Sequence, residues 1–189
     1  MDRKRFLEIM ENAKRVDDRP KVLRDLVRRP KSFHYYKLFV HLACAMQAKL
    51  IIELGTSQGV GALHFKHGAP AAKVITVDIV ITPKTKDRLF AHDIEGVICD
   101  AVEYADWVAD DSVDILFIDT NMCKTNEPEA YDLLTRELGA WLPKMKPGSV
   151  VLFDDIRNGN MFQAWEELDG DKLEVGELHP SLSFGVLFL

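Results

Sequence analysis

The stretch IIELGTSQGV, residues 51–60, decides how the rest of the sequence is interpreted. An apolar run ends at Glu53, and two glycines, Gly55 and Gly59, follow within a short polar loop. Glycines directly after a strand let the backbone turn sharply and approach a ligand closely. The stretch therefore predicts a strand whose end faces a binding site that uses both a carboxylate and bare backbone.

Further short apolar runs follow at intervals, and helix-like segments separate most of them. They are KVITVDI (73–79), GVICD (96–100), VDILFID (113–119) and SVVLFDD (149–155). Runs that are apolar throughout are typical of strands covered on both faces, as in a parallel sheet. Strands that alternate with helices predict an α/β fold built on a doubly wound, mostly parallel sheet.

The C-terminal tail departs from this alternation. Two strand-like segments, KLEVGEL (172–178) and FGVLFL (184–189), are joined by HPSLS, which leaves no room for a helix. Such a short link predicts an antiparallel hairpin at the edge of the sheet. We therefore expect seven strands, with an antiparallel strand at the C-terminus.

The first 48 residues predict helices. Apolar residues recur there at three- and four-residue intervals, at Phe6, Ile9, Met10 and Ala13 and again at Tyr35, Leu38, Leu42 and Met46. We expect residues 1–48 to form a helical cap within the same domain as residues 49–189. The aromatic group SFHYY (32–36) is open to two interpretations, because it could pack in the core or line the mouth of a pocket.

Composition narrows the classes of partner. The net charge of −6 and the pI of about 5.5 argue against nucleic acid or an anionic membrane as the main partner. No C-x-x-C pairing occurs among Cys44, Cys99 and Cys123, which disfavours a disulfide framework or a zinc site. Cys44 and Cys99 lie in apolar runs, which predicts burial. With no membrane-length apolar run and no signal-like start, we expect a cytoplasmic protein.

Each of the five middle strands carries acidic residues at its C-terminal end. They are Glu53, Asp78, Asp100, Asp119, and the pair Asp154 and Asp155. One acid in such a place is more often a helix cap, and Asp100 with Glu103 three residues on predicts a cap. Ligands of open α/β sheets bind outside the carboxyl ends of the strands. Acids at five equivalent places therefore predict a shared binding site.

The glycine spacing selects a family. Glu53, Gly55 and Gly59 match E-x-G-x-x-x-G, whereas the dinucleotide fingerprint G-x-G-x-x-G is absent. Together with the acids that follow, residues 49–189 resemble the class I methyltransferases, which bind S-adenosylmethionine on a Rossmann-like sheet. The resemblance implies a set of cofactor-binding residues: Glu53, Gly55, Thr56, Ser57, Gly59, Asp78, Ile79, Asp100, Ala101 and Asp119.

The same resemblance implies how the cofactor lies. Asp78 would accept hydrogen bonds from both ribose hydroxyls, which two neighbouring donors require of one carboxylate. Asp100 would lie near the adenine amine, and Glu53 near the methionine end. An acidic pocket also suits the positive charge of the sulfonium.

The segments FIDTNMCK (117–124) and LFDDIRN (152–158) resemble those of small-molecule O-methyltransferases of the catechol and caffeoyl-CoA type. This implies a hydroxyl acceptor, a catalytic role for Asp119, and a Mg²⁺ ion on Asp119, Asp154 and Asp155. The alternative is that these acids are ordinary strand-end residues. Related bacterial families carry a histidine where Met122 stands here, and methionine cannot accept a proton.

Two other functions remain open from the sequence. The chain could be a nicotinamide-dependent oxidoreductase, which the glycine spacing and the antiparallel tail disfavour. It could also be a methyltransferase-like protein that binds the cofactor without catalysis, because little beyond the sheet is available to close over a substrate. A homodimer could supply the missing cover.

Overall fold

The computed structural model describes residues 1–26, 33–120, 127–177 and 183–189. The predictions made for Met122 and Cys123 lie outside these ranges, as does part of the SFHYY group.

Seven strands form one sheet in the order β3-β2-β1-β4-β5-β7-β6. Their bounds are β1 Leu50–Leu54, β2 Lys73–Asp78, β3 Glu95–Ile98, β4 Val113–Ile118, β5 Met145–Phe153, β6 Asp171–Glu174 and β7 Gly185–Phe188. The first five strands pair in parallel. β7 is antiparallel to both of its neighbours, β5 and β6. The predicted fold class, a mostly parallel seven-stranded sheet with an antiparallel C-terminal strand, is confirmed.

Eight α-helices accompany the sheet within the described ranges. They are α1 Arg3–Arg15, α2 Lys21–Leu26, α3 Phe33–Met46, α4 Val60–Gly68, α5 Pro83–Ala91, α6 Ala101–Tyr104, α7 Glu127–Trp141 and α8 Met161–Glu167. The fold is doubly wound because the chain runs outward from β1 in both directions across the sheet. This arrangement brings the carboxyl ends of β1 and β4 together at the centre.

The strand residues alternate between two apolar layers. Ile51 and Phe117 face one layer, which includes buried residues of α1, α3 and α4. Ile52 and Leu116 face the other layer, which includes buried residues of α7 and α8. Burial of both faces explains why the strand sequences are apolar throughout.

The N-terminal helices pack directly on the sheet layer. Phe6 of α1 meets Phe188 of β7 edge to face with ring centroids 5.5 Å apart, and Phe39 of α3 stacks on Phe65 of α4 at 4.2 Å. Such aromatic pairs add about 0.5–1.5 kcal/mol each beyond the area they bury. Because α3 leads into the amino end of β1 through a short turn, the two elements run in opposite directions. The first turn of α3 therefore lies at the same end of the sheet as the strand-end acids.

One burial prediction is wrong. Cys44 is exposed and Cys99 is half-buried. In α3 the buried face carries Leu38 and Leu42, and at about 100° per residue Cys44 turns away from that face. An apolar run inside a helix therefore does not bury each of its members.

Gly68 allows α4 to lie against the backbone of α3. A Cβ built on Gly68 would be 2.2 Å from the carbonyl oxygen of Val40. We expect Gly68→Ala to destabilise the fold by about 1–3 kcal/mol, because the two backbones must separate. Urea denaturation of the variant measures this loss.

The matched control is Gly139→Ala in α7, where a Cβ would meet nothing within 4 Å. This variant should gain about 0.5–1 kcal/mol from the lower entropy of its unfolded chain. Equal effects of the two substitutions would contradict the packing argument.

Candidate functional site at the carboxyl ends of the strands

The loop after β1 is the centre of the site. Gly55 has a φ of +93°, and its amide donates to the carbonyl of Val77 at 2.8 Å. A Cβ on Gly55 would be 2.1 Å from the carbonyl oxygen of Asp119. Only glycine combines this left-handed conformation with so close an approach to the β4 end. Gly59, with a φ of +71°, ends the loop at the start of α4.

Asp78 holds this loop in place. Its Oδ2 accepts hydrogen bonds from the amides of Thr56, at 2.8 Å, and Ser57, at 3.2 Å. Its Oδ1 accepts from the amide of Val80 at 3.1 Å. Each carboxylate oxygen has two lone pairs, so Oδ2 is fully used and Oδ1 retains capacity for one further donor such as a hydroxyl group. The neighbouring Ile79 exposes 62% of its surface beside this carboxylate.

Glu53 lies beneath the loop and is only 2% exposed. Its Oε2 accepts from the hydroxyl of Thr76 at 2.6 Å, and Thr76 in turn is 2.8 Å from the hydroxyl of Thr56. Burial is the main cause that raises the pKa of Glu53, to about 8. A Cβ on Gly61 would be 2.1 Å from its Oε1, so α4 needs a glycine there. Glu53 thus supports the loop from below.

The predicted cap at Asp100 is confirmed. Its Oδ1 accepts from the amides of Val102, at 2.8 Å, and Glu103, at 3.3 Å, and so begins α6. The carbonyl of Ala101 accepts from the indole Nε1 of Trp141 at 2.9 Å. The loop after β3 is therefore anchored both to its own helix and to α7.

The carboxylates after β4 and β5 lie close enough to affect each other. Burial, followed by the charge of Asp154, raises the pKa of Asp119 well above its usual range. Asp154 is 7% exposed, and burial and the neighbouring Asp155 raise its pKa as well. The backbone of Asp155 is left-handed, with a φ of +53°. Non-glycine residues in this conformation cost energy and occur often at functional sites.

Tyr35 and Tyr36 of the aromatic group differ in their surroundings. Tyr35 is buried, stacks on Phe184, and donates from its hydroxyl to Oδ2 of Asp154 at 3.3 Å. Tyr36 is half-buried and stacks on the ring of His64 at 4.9 Å. Tyr35 therefore packs in the core, while part of Tyr36 remains accessible.

The structure brings all the predicted strand-end acids to the same side of the sheet, where the parallel strands have their carboxyl ends. It also adds residues that the sequence did not assign to the site. Thr76 and the buried Glu137 of α7 each bond a residue at these strand ends, and so does Tyr35, which the sequence left open between core and pocket. For Thr76 a signal existed, since it stands two residues before Asp78 and strand alternation puts both on the same face. For Glu137 no signal existed, because its partner Thr120 lies 17 residues away in the sequence.

Among the described residues, no group of three histidine, cysteine, aspartate or glutamate side chains is arranged to hold a metal ion. The Mg²⁺ ligands Asp119, Asp154 and Asp155 therefore stay a prediction. No helix in the described ranges is long and apolar enough to cross a membrane.

Comparison with known proteins identifies the family. Residues 52–156, more than half of the chain, match the family model described as a methyltransferase domain. The matched region runs from β1 to the end of β5 and so contains every strand-end acid of the site. The chain belongs to this methyltransferase family, which confirms the resemblance to class I S-adenosylmethionine-dependent methyltransferases. Comparison with curated proteins found no match.

Solved structures with the same fold include several methyltransferases. A methyltransferase of Podospora anserina with S-adenosylhomocysteine bound is 14% identical, with a TM-score of 0.67, and the match covers 100% of this chain and 97% of that one. An O-methyltransferase of tomaymycin synthesis from Streptomyces achromogenes, in complex with S-adenosylmethionine, is 16% identical, with a TM-score of 0.63 and coverage of 98% and 97%.

A third structure is the O-methyltransferase of Bacillus cereus in complex with S-adenosylhomocysteine. It is 16% identical, with a TM-score of 0.60 and coverage of 96% and 90%. At these identities the likeness concerns the fold. The family match and the glycine spacing together argue against a nicotinamide-dependent oxidoreductase.

The buried Glu53 makes stability depend on pH. Its pKa of about 8 lies above the value near 4.3 of an unfolded glutamate, so the folded state holds the proton more tightly. Its contribution is fully present at acid pH and is lost as the pH rises towards and through 8. We expect wild type to lose stability relative to Glu53→Gln between pH 5 and pH 8.5, by about 1.4 kcal/mol per pH unit at most.

Urea denaturation of the two proteins at several pH values measures this difference. Glu8→Gln, at an exposed position of α1, is the control and should follow wild type at every pH. Parallel stability curves for wild type and Glu53→Gln would contradict the assignment.

Proposed function

We propose that this chain transfers the methyl group of S-adenosylmethionine to a hydroxyl oxygen of a small molecule. The observation that carries the proposal is the contact between Asp78 and the amides of the glycine loop. It sets a carboxylate with spare acceptor capacity beside bare backbone, at the sheet edge where the family binds its cofactor. The choice of oxygen is supported by the O-methyltransferases of the same fold.

The cofactor would extend along the carboxyl ends of β1, β2 and β3. Asp78 would accept from a ribose hydroxyl at Oδ1, and the exposed Ile79 beside it would be covered by the adenine ring. The loop of Asp100 and Ala101 would border the adenine edge. The backbone of Gly55, Thr56, Ser57 and Gly59 would pass under the methionine part, while Glu53 supports that loop.

The acceptor would bind between Asp119, Asp154 and the accessible side of Tyr36. Its hydroxyl oxygen would attack the methyl carbon of the bound donor in line with the sulfur, the bond between carbon and sulfur would break, and S-adenosylhomocysteine would leave. In its ionised form, Asp119 would accept first the hydrogen bond and then the proton of the hydroxyl. Much of the acceleration in such a displacement comes from holding the two reactants in line.

The predicted Mg²⁺ ion is a separate prediction within this proposal, and the methyl transfer does not depend on it. Carboxylate oxygens suit Mg²⁺, and Oδ1 of Asp154 is buried without a hydrogen-bond partner in the described part of the chain. Against this, Oδ2 of Asp154 is bonded to Tyr35, and the described acids are not gathered as a ligand group. No step of the proposed reaction is therefore derived through a metal.

A cofactor-binding protein without catalysis is the second candidate. It is favoured by the small cover over the site, to which the described chain is seen to contribute the first turn of α3, where Tyr35 bonds Asp154. It differs from the enzyme in turnover and not in cofactor binding. A homodimer that completes the cover remains part of either candidate as a prediction.

Binding of S-adenosylhomocysteine tests the cofactor site. By isothermal titration calorimetry we expect micromolar-range binding by wild type and at least a tenfold loss in Asp78→Ala, which corresponds to about 1.4 kcal/mol. The loss has two sources, the hydrogen bond from the ribose and the loop that Asp78 holds. The control is Asp106→Ala, at an exposed aspartate after α6, which should bind like wild type. No heat from folded wild type would contradict the proposal.

Turnover on hydroxylated acceptors separates the enzyme from the binding protein. With S-adenosylmethionine and a panel of phenols and alcohols, we expect S-adenosylhomocysteine to accumulate with wild type. Asp119→Asn should lower kcat by about 10²-fold or more, the scale of a positioned proton acceptor. Cofactor binding without turnover on any acceptor would favour the second candidate.

The same assay tests the metal. If Asp119, Asp154 and Asp155 bind Mg²⁺, adding the ion to chelator-treated protein raises turnover, and Asp155→Ala weakens that response. Equal turnover with chelator and with Mg²⁺ would contradict the metal prediction and leave the methyl transfer itself intact.

A further inference from the structure

The inner face of α7 contacts two loops of the proposed cofactor site through polar side chains. Trp141 donates from its indole Nε1 to the carbonyl of Ala101, the first residue of α6 directly after the β3 loop, at 2.9 Å. One turn earlier, Glu137 accepts at Oε2 from the hydroxyl of Thr120, in the loop after β4, at 2.9 Å. The helix thus sets the spacing between these two loops.

Packing alone does not explain a glutamate at this position. Glu137 is fully buried, and its second oxygen, Oε1, has no hydrogen-bond partner in the described part of the chain. Burial raises its pKa to about 7, with a smaller contribution from the charge of Asp100. A buried carboxyl group carries a desolvation cost that a leucine of similar size would avoid.

Thr120 connects Glu137 to the glycine loop. A Cβ on Gly55 would be 2.1 Å from the carbonyl oxygen of Asp119 and 3.1 Å from the amide nitrogen of Thr120. Gly55 therefore lies directly on the peptide between Asp119 and Thr120. Because the side chain of Thr120 is fixed by Glu137, a shift of Thr120 would move the surface on which the glycine loop rests.

We propose that Glu137 is a positioning residue for the cofactor, which acts through Thr120 to hold the β4 loop against Gly55 and at a set distance from the Asp100 loop. It does not itself touch the reacting atoms. The proposal rests on the cofactor site of the proposed function and extends it to a helix on the far layer of the fold. A residue with this role should affect cofactor affinity without being needed for stability.

The test compares binding of S-adenosylhomocysteine, by calorimetry, with the free energy of unfolding, by urea denaturation, in one set of variants. Glu137→Leu removes the acceptor and should weaken binding at least tenfold while unfolding stability is retained or increased. Thr120→Val removes the donor with little change of shape and should give the same loss. The double variant should bind no more than about twofold worse than either single variant, since both act through one contact.

Rescue and control variants complete the set. Glu137→Gln keeps an oxygen that can accept from Thr120 and should bind within about threefold of wild type. Glu129→Leu, at an exposed glutamate two turns earlier on α7, should bind like wild type.

Unchanged binding in both Glu137→Leu and Thr120→Val would overturn the inference, as would a loss of binding matched by an equal loss of stability. Should Glu137→Leu fail to fold, Thr120→Val decides alone, because it keeps every side chain of α7 in place and its unfolding free energy is measured alongside its binding. Failure of wild type to bind would overturn the proposed cofactor site together with this inference. Binding by wild type and equal binding by both variants would overturn this inference alone.

Discussion

The close approach of Gly55 to the end of β4 is the constraint on which the site depends. The peptide between Asp119 and Thr120 occupies the space that a side chain at position 55 would need. β1 and β4 are neighbours in the sheet, and the loop after β1 can approach the end of β4 this closely only because position 55 carries no side chain. This contact directs the loop towards β2, where Asp78 binds the amides of Thr56 and Ser57.

The second feature of the site is the number of carboxyl groups held together at the carboxyl ends of the parallel strands. Burial and mutual repulsion raise the pKa of Glu53, Asp119 and Asp154, which opposes their ionisation. Hydroxyl donors from other elements partly offset this cost, Thr76 for Glu53 and Tyr35 for Asp154. Burial of the two apolar layers stabilises the fold enough to offset the cost of these buried carboxyl groups.

Helices of both apolar layers contact the site. On one layer, α3 and α4 lie close together at Gly68, and α3 brings Tyr35 to Asp154. On the other layer, α7 bonds the loops after β3 and β4. The family membership defines the class of chemistry, whereas these contacts determine how firmly the loops that surround a ligand are held. Loops fixed from both layers provide the preorganised geometry that a methyl transfer requires.

By itself, the sequence determined the fold class, the seven strands, the glycine loop and the acids that end the central strands, because strand periodicity and glycine spacing are local properties. It also predicted the cap at Asp100, which depends on neighbours only a few residues away. Local pattern failed for Cys44, whose exposure depends on how α3 is rotated against the sheet. Only the tertiary structure decided that Glu53 lies beneath the loop on Thr76, that Tyr35 reaches Asp154, and that Glu137 holds Thr120. These contacts join residues from 17 to 119 positions apart, and nothing in the spacing of the chain specifies which distant side chains the packed layers bring together.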